Sequence, residues 1–439
     1  MKEIRSFTML VFWLGSIFST IAQDSTSADN SFLFSNRSYS VPSILNNDFL
    51  SVKRNAVSAD FHYFMSSNFA SNEVSTYYLL QTNFEGELET SLIENLKEKN
   101  TYELSAGGNI MYLHKAEKFP VFGKGTYHIA FTNGNLTTIR SAADAVKFVF
   151  NGNAQFENET AVLGPLVSEK FAYNQLRVGL RKDYQKNENE TSFGVSLSFI
   201  QGFQNWNADL SRGTLFTAED GEYIDLDYNM ILQLGYEGVP NGFEFNGLGF
   251  AGDLLLSYKR NNTSLLELQV RDLGWAKWQN EAVTYKADSF IHYQGLEIEN
   301  FFNIQDSFLT ASYIDSLVEG ILPDESRTGY NTFFPVMIDL GYSHVLANEQ
   351  ALITAGIRYR NLSGYLPFAY LKANYFITSS ASVSASLGYG GYGSYRFGLE
   401  LAKNWEQFWI TFGSNAVEGF IVPSKATSGS IYLNLGTRF

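Results

Sequence analysis

Ile431-Tyr432-Leu433-Asn434-Leu435-Gly436-Thr437-Arg438-Phe439 alternates along its whole length. Successive side chains of an extended chain point to opposite faces, so Ile431, Leu433, Leu435, Thr437 and Phe439 share one face, with Tyr432, Asn434 and Arg438 behind it. Period two of this kind argues for a strand with one side in an apolar medium. Upstream, Leu248, Phe250, Gly252, Leu254, Leu256 and Tyr258 repeat the pattern with Asp253 and Ser257 opposite. Runs beginning at Phe334, Ile353, Leu371, Val383, Tyr395 and Phe408 follow, several with short connections. Further strands are expected near Ser75 to Phe84, Tyr102 to Leu113, Gly125 to Phe131, Asn174 to Arg181, Ser192 to Phe199 and Leu226 to Tyr236.

A soluble sandwich with this many flat apolar strands would leave edges open to aggregation, whereas closure pairs every backbone group. The expected fold is all-β: a transmembrane antiparallel β-barrel of about 14 strands, 12 to 16 being allowed, with a few short helices capping or partly plugging it. Composition agrees. Of 439 residues, 45% are hydrophobic, 16% aromatic and only 17% charged, too apolar for disorder and below the roughly 25% charge of a soluble domain. The absence of cysteine excludes disulfide scaffolds, thiolate zinc and iron–sulfur clusters. A net charge of −14 argues against nucleic acid as a partner.

Residues 1–22 read as a cleaved secretory signal: Lys2 and Arg5, the apolar run Phe7 to Phe18, and the small-residue site Thr20-Ile21-Ala22. An uncleaved anchor is the alternative, but that run is shorter than the ~20 residues a spanning helix needs. Residues 23–57 are then an N-terminal periplasmic segment and 58–439 the barrel, placed in the outer membrane of a Gram-negative bacterium with both termini in the periplasm.

Three stretches break the strand rhythm. Leu136, Ile139, Ala143, Val146 and Phe150 recur at helical spacing between Asn135 and the stop Asn151-Gly152-Asn153. Ser91 and Glu94 have capping-box spacing before Leu96, and a weaker signal surrounds Tyr313 to Gly320. Such helices are expected to cap a periplasmic end or to enter the lumen.

If the apolar parity faces lipid, the opposite parity carries Arg177, Arg181, Asp253, Glu267, Arg271, Asp339, Arg358, Arg360, Arg396 and Glu400 into the lumen, with Asp227 and Gln233. This two-signed set suits a selective pore or a ligand pocket, and equally a closed network of ion pairs. Charge reversal at Arg358 and Arg360 would test the pore. Trp206, Trp275, Trp278, Trp405 and Trp409 suit an interfacial girdle, with ring stacking on a ligand as the sharper alternative. Gly388-Tyr389-Gly390-Gly391-Tyr392-Gly393 spells a dinucleotide motif but joins two strands, so it is read as a hairpin turn. The five histidines lack metalloprotease spacing, no serine sits in GxSxG, and an enzyme is not favoured. Neither a cofactor nor a metal site is expected; Glu219 and Asp220 fit a solvated acidic loop better than a calcium site.

The last strand, with its terminal Phe439, resembles the C-terminal signature of bacterial outer-membrane barrels, which implies that the assembly machinery reads Ile431, Leu433, Leu435 and Phe439. Phe245-Asn246-Gly247-Leu248-Gly249-Phe250-Ala251-Gly252-Asp253, then Asp272-Leu273-Gly274-Trp275-Ala276-Lys277-Trp278, resembles a family of Bacteroidetes outer-membrane barrels classed as a domain of unknown function. Phe150-Asn151-Gly152-Asn153, Tyr330 and Pro335 are similar to it too, over roughly residues 60–439. The resemblance implies barrel and compartment but no activity; a looser likeness runs to hydrophobic-compound transporters and secretion-associated barrels. Expected partners are outer-membrane lipid, the barrel assembly machinery, and either a small molecule in the lumen or, for a non-conducting structural or interaction barrel, secretion or surface-attachment subunits meeting loops 204–225 and 299–332. A barrel hydrolase ranks third.

Overall fold

Alternating strands form a closed wall when each gives its backbone donors and acceptors to two neighbours. In the computed structural model, which describes residues 53–79, 86–117, 125–236, 244–279, 282–294, 324–346 and 350–439, nineteen strands form one sheet. They are β1 (Asn55–Ser67), β2 (Lys99–Ala116), β3 (Gly125–Ala142), β4 (Thr160–Val162), β5 (Leu166–Lys186), β6 (Asn189–Thr217), β7 (Tyr223–Leu234), β8 (Gly247–Arg260), β9 (Ser264–Trp278) and β10 (Val283–Gln294). The remainder are β11 (Asp324–Ser326), β12 (Tyr330–Phe333), β13 (Met337–Val345), β14 (Ala351–Arg360), β15 (Leu366–Thr378), β16 (Ala381–Gly391), β17 (Tyr395–Asn404), β18 (Phe408–Ser414) and β19 (Ser428–Arg438). With β4, β7, β10, β11 and β12 set aside, the other 14 close into an antiparallel barrel. β19 seals it against β1, Ala56 facing Arg438 and Ser66 facing Ser428.

The outer face is apolar around the ring: Ile110, Ile129, Leu197, Phe250, Leu340, Ile357, Leu399 and Leu435 are all exposed. At the end where β1 begins and β19 ends, β5–β6, β8–β9, β15–β16 and β17–β18 are joined by turns of two or three residues. Long connections gather at the other end. There β6 outgrows the wall: residues 190–202 pair with β8, while 206–217 pair with β7, which pairs in turn with β10. An outward extension of the same sheet therefore stands on the barrel, so Asp227 and Gln233 of β7 lie outside the wall rather than in the lumen, and residues 204–217 are strand rather than loop.

Four helices are described: α1 (Asn72–Leu79), α2 (Glu87–Glu94), α3 (Ala143–Asn151) and α4 (Glu418–Ile421). The strand expected at 75–84 is helix as far as Leu79, because Ser71 Oγ accepts from Val74 N at 3.3 Å and starts the first turn. The helix expected from Leu136 begins only at Ala143. Thr137, Thr138 and Ile139 are β-branched, and the segment is held on both sides, Leu136 opposite Ser105 and Phe171. Its stop is as read, with Gly152 at φ 69°. Ser91 is not a cap; α2 starts four residues earlier, after Gly86. Val74, Leu92 and Val146 pack these helices together at the end away from the termini, not at the expected periplasmic end. The candidate helix at 313–320 and the signal lie outside the described residues.

Candidate functional site

The ten sequence-selected ionic residues all stand on strands of the wall with inward parity. Arg177, buried at 3% exposure, donates Nε to Ser198 Oγ at 3.2 Å with Asp253 Oδ2 2.8 Å from the same nitrogen, and gives Nη2 to Asp272 Oδ1 at 2.6 Å. Asp272 had no place among the candidates because it neighbours Arg271 and should face outward. A bulge corrects this: Arg271 and Asp272 together oppose Asp253, with Asp272 at φ 59°. Its backbone N then donates to Asp253 Oδ1 at 2.8 Å and its carboxylate accepts from Gln175 Nε2 at 2.9 Å.

Three other pairs line the wall. Arg358 Nε donates to Asp339 Oδ2 at 2.7 Å, and Tyr370 OH to Oδ1 at 2.8 Å. Arg360 pairs with Glu103, itself unread in the sequence. Lys372, also unread, meets Glu400 at 2.9 Å, where Tyr432 OH donates at 2.7 Å. Arg181 is tied to Asp183 at 2.7 Å, and Glu267 accepts from Gln269. Arg271 and Arg396 differ. Arg271 gives Nη2 to the thioether of Met337 at 3.5 Å, while Arg396 gives Nη2 to Gly390 O at 2.9 Å and lies over the rings of Phe64 and Phe368.

Arg177, Arg271, Arg358, Arg360 and Arg396, with Glu103 and Asp272, line a cavity of about 270 Å³ inside the barrel, whereas Arg181, Asp253, Glu267, Asp339 and Glu400 do not reach it. Asp60 and His62 of β1, a strand the sequence reading passed over, contribute to its wall with Phe334 and Pro335. Above it Leu362 and Tyr392 pack on Leu136 and Phe171, and Tyr392 OH donates to Ser363 O at 2.8 Å. Burial holds the phenols of Tyr365 and Tyr392, both in outer connections, above their ordinary pKa, so both remain neutral hydroxyls. Below, two apolar clusters occupy the end where the termini lie: Ala56, Met111, Leu113, Ala130 and Trp409, and Leu265, Val345, Leu352 and Phe376.

Two tryptophans read as girdle residues belong to the interior. Trp409, 4% exposed, gives Nε1 to Asn434 Oδ1 at 2.7 Å. Trp278, 1% exposed, lies over Gly202, Gly235 and Gly247, where an added Cβ would approach ring carbons to 2.5–2.6 Å. Trp275 and Trp206 face outward as a girdle requires.

The family model for a family of unknown function, DUF5723, matches residues 54–415. No curated protein matches the sequence. Among solved structures, the chain is similar to a TodX monoaromatic hydrocarbon channel lacking S2 and S3 (TM-score 0.44, 9% identity, 91% of this chain and 94% of that one). It is also similar to a FadL homologue of Pseudomonas aeruginosa (0.41, 9%, 90% and 93%) and to the translocator domain of the autotransporter NalP of Neisseria meningitidis (0.34, 10%, 100% and 98%).

Proposed function

The chain belongs to the DUF5723 family, whose function is unknown, and we propose from its lumen that it is an outer-membrane barrel that binds a small solute and passes it along a gated path. The single observation that carries this reading is an ion-lined cavity inside the barrel, with Leu362 and Tyr392 packed on its outer side and the two apolar clusters filling the lumen towards the end where the termini lie. A standing pore needs a continuous polar path; a network serving stability alone needs no cavity. The outer membrane is argued from the exposed apolar band on a ring without free edges, which only lipid suits. Phe439, exposed beside Leu435 on the last strand, is the proposed assembly signal; its deletion should cut the folded yield in outer membranes several-fold, and an unchanged yield refutes the role.

The test is conductance of the purified, folded protein in planar bilayers. The native barrel is expected to be silent, and the double variant Trp409→Ala, Phe376→Ala to show stable steps once both clusters lose their largest side chains. Stable steps from the native protein would refute the gate. Silence from both, with no solute bound, would refute the lumen reading in favour of a structural barrel.

A further inference from the structure

The five arginines lining the cavity are not equivalent. Arg177, Arg358 and Arg360 are each matched by a carboxylate, two of them in the case of Arg177. Arg271 and Arg396 make no ion pair among the described residues; each makes one side-chain hydrogen bond, and each Nε is buried without an acceptor. A guanidinium carries five N–H donors in a planar fork that matches a carboxylate, and a thioether is a weak acceptor. Both side chains therefore keep unused donors, and both line the same cavity.

The rest of the lining fixes the body of the ligand. Phe64 and Met337 present partly exposed apolar surface to the cavity, with Phe334, Pro335 and Phe368 buried in its wall, and Arg396 already lies over the rings of Phe64 and Phe368, at 4.9 and 4.3 Å. A fully hydrated inorganic anion would gain nothing from that surface, whereas a planar apolar group would bury against it. A volume of about 270 Å³ is many times the ~10–15 Å³ that one water needs on this measure, room for a small organic ligand.

We infer that the cavity receives a small organic carboxylate with a flat apolar body, its carboxylate held by Arg271 and Arg396 and its apolar body set against Phe64 and Met337. The inference rests on the lumenal-binding reading above and adds the ligand class to it.

The experiment is titration calorimetry on the full-length folded protein with benzoate, its neutral isostere benzamide, and inorganic phosphate. Saturable benzoate binding is expected, with benzamide weaker by about ten- to hundred-fold, the loss typical of a hydrogen bond to a charged group, and phosphate not competing. Arg271→Gln and Arg396→Gln should each weaken benzoate by a similar factor and narrow the gap between benzoate and benzamide. Because the comparison of benzoate with benzamide uses the native protein, it stands even if a variant fails to fold. Equal binding of the two would overturn carboxylate recognition and leave lumenal binding intact; binding of phosphate alone would reduce the site to a plain anion site and overturn the organic body. If nothing binds, the ligand class falls, and the Trp409→Ala, Phe376→Ala conductance separately decides whether the lumen reading falls with it.

Discussion

Arg177→Met will destabilise the folded barrel by about 3–5 kcal/mol, the cost of removing one partner from a buried ion pair. The loss is large because Arg177 is the common partner of two carboxylates, Asp253 and Asp272, on neighbouring strands. Without it Asp253, buried, and Asp272, partly exposed to the cavity, stand close together with no cation between them, and one must protonate or the strands must move apart. The midpoint of urea unfolding in detergent, read from the gel shift between folded and unfolded barrel, measures the change. The triple variant Arg177→Met, Asp253→Asn, Asp272→Asn should regain most of it, since the stranded charges go with the cation and Asn tolerates the left-handed backbone at position 272. A single variant within about 1 kcal/mol of native would show that the cluster is water-filled and screened.

Trp278→Ala should cost a comparable 3–5 kcal/mol, the range for removing a large buried aromatic side chain, but with a local signature. The indole meets Gly202 on β6, Gly235 just past β7 and Gly247 at the start of β8, and its Nε1 donates to Thr332 Oγ1 on β12 at 2.8 Å. It thus pins the point where β6 changes partner, so truncation should expose β7 and β10 to protease before the ring of 14 strands opens. Gly247→Val, adding carbons where the ring lies, should give the same cleavage pattern. Uniform loss of protection across barrel and outward extension would count against this assignment.

These two sites explain the motifs that carried the family resemblance. Gly247 leaves room for Trp278, Asp253 and Asp272 hold Arg177, and Pro335 with Phe334 lines the cavity. The C-terminal strands were legible because each has one face in an apolar medium and one in a polar lumen, which writes period two into the sequence. Inward parity of the arginines followed from the same rule. Their partners did not: Arg360 and Glu103 are 257 positions apart, and strand register is not written locally. β1 escaped notice because Phe64 joins Asp60 and His62 on its inner face, breaking the polarity contrast. Asp272 escaped because a bulge flips parity by one residue. Trp278 and Trp409 were misplaced because tryptophan suits both an interfacial belt and a glycine-lined slot, and only the partner strands distinguish them.

Strand β6 has a consequence of reach. Its residues 206–217 pair with β7 on one side, but 206–210 still pair with the wall strand β5 on the other, so residues 211–217 are the part that stands clear, roughly 20 Å at ~3.3 Å per residue. The break is marked by a bulge between Leu210 and Arg212. Whatever meets the tip at Glu219 and Asp220 therefore meets it beyond the rim, on a strand whose root is shared with the wall, and a pull on that tip is felt first at the bulge.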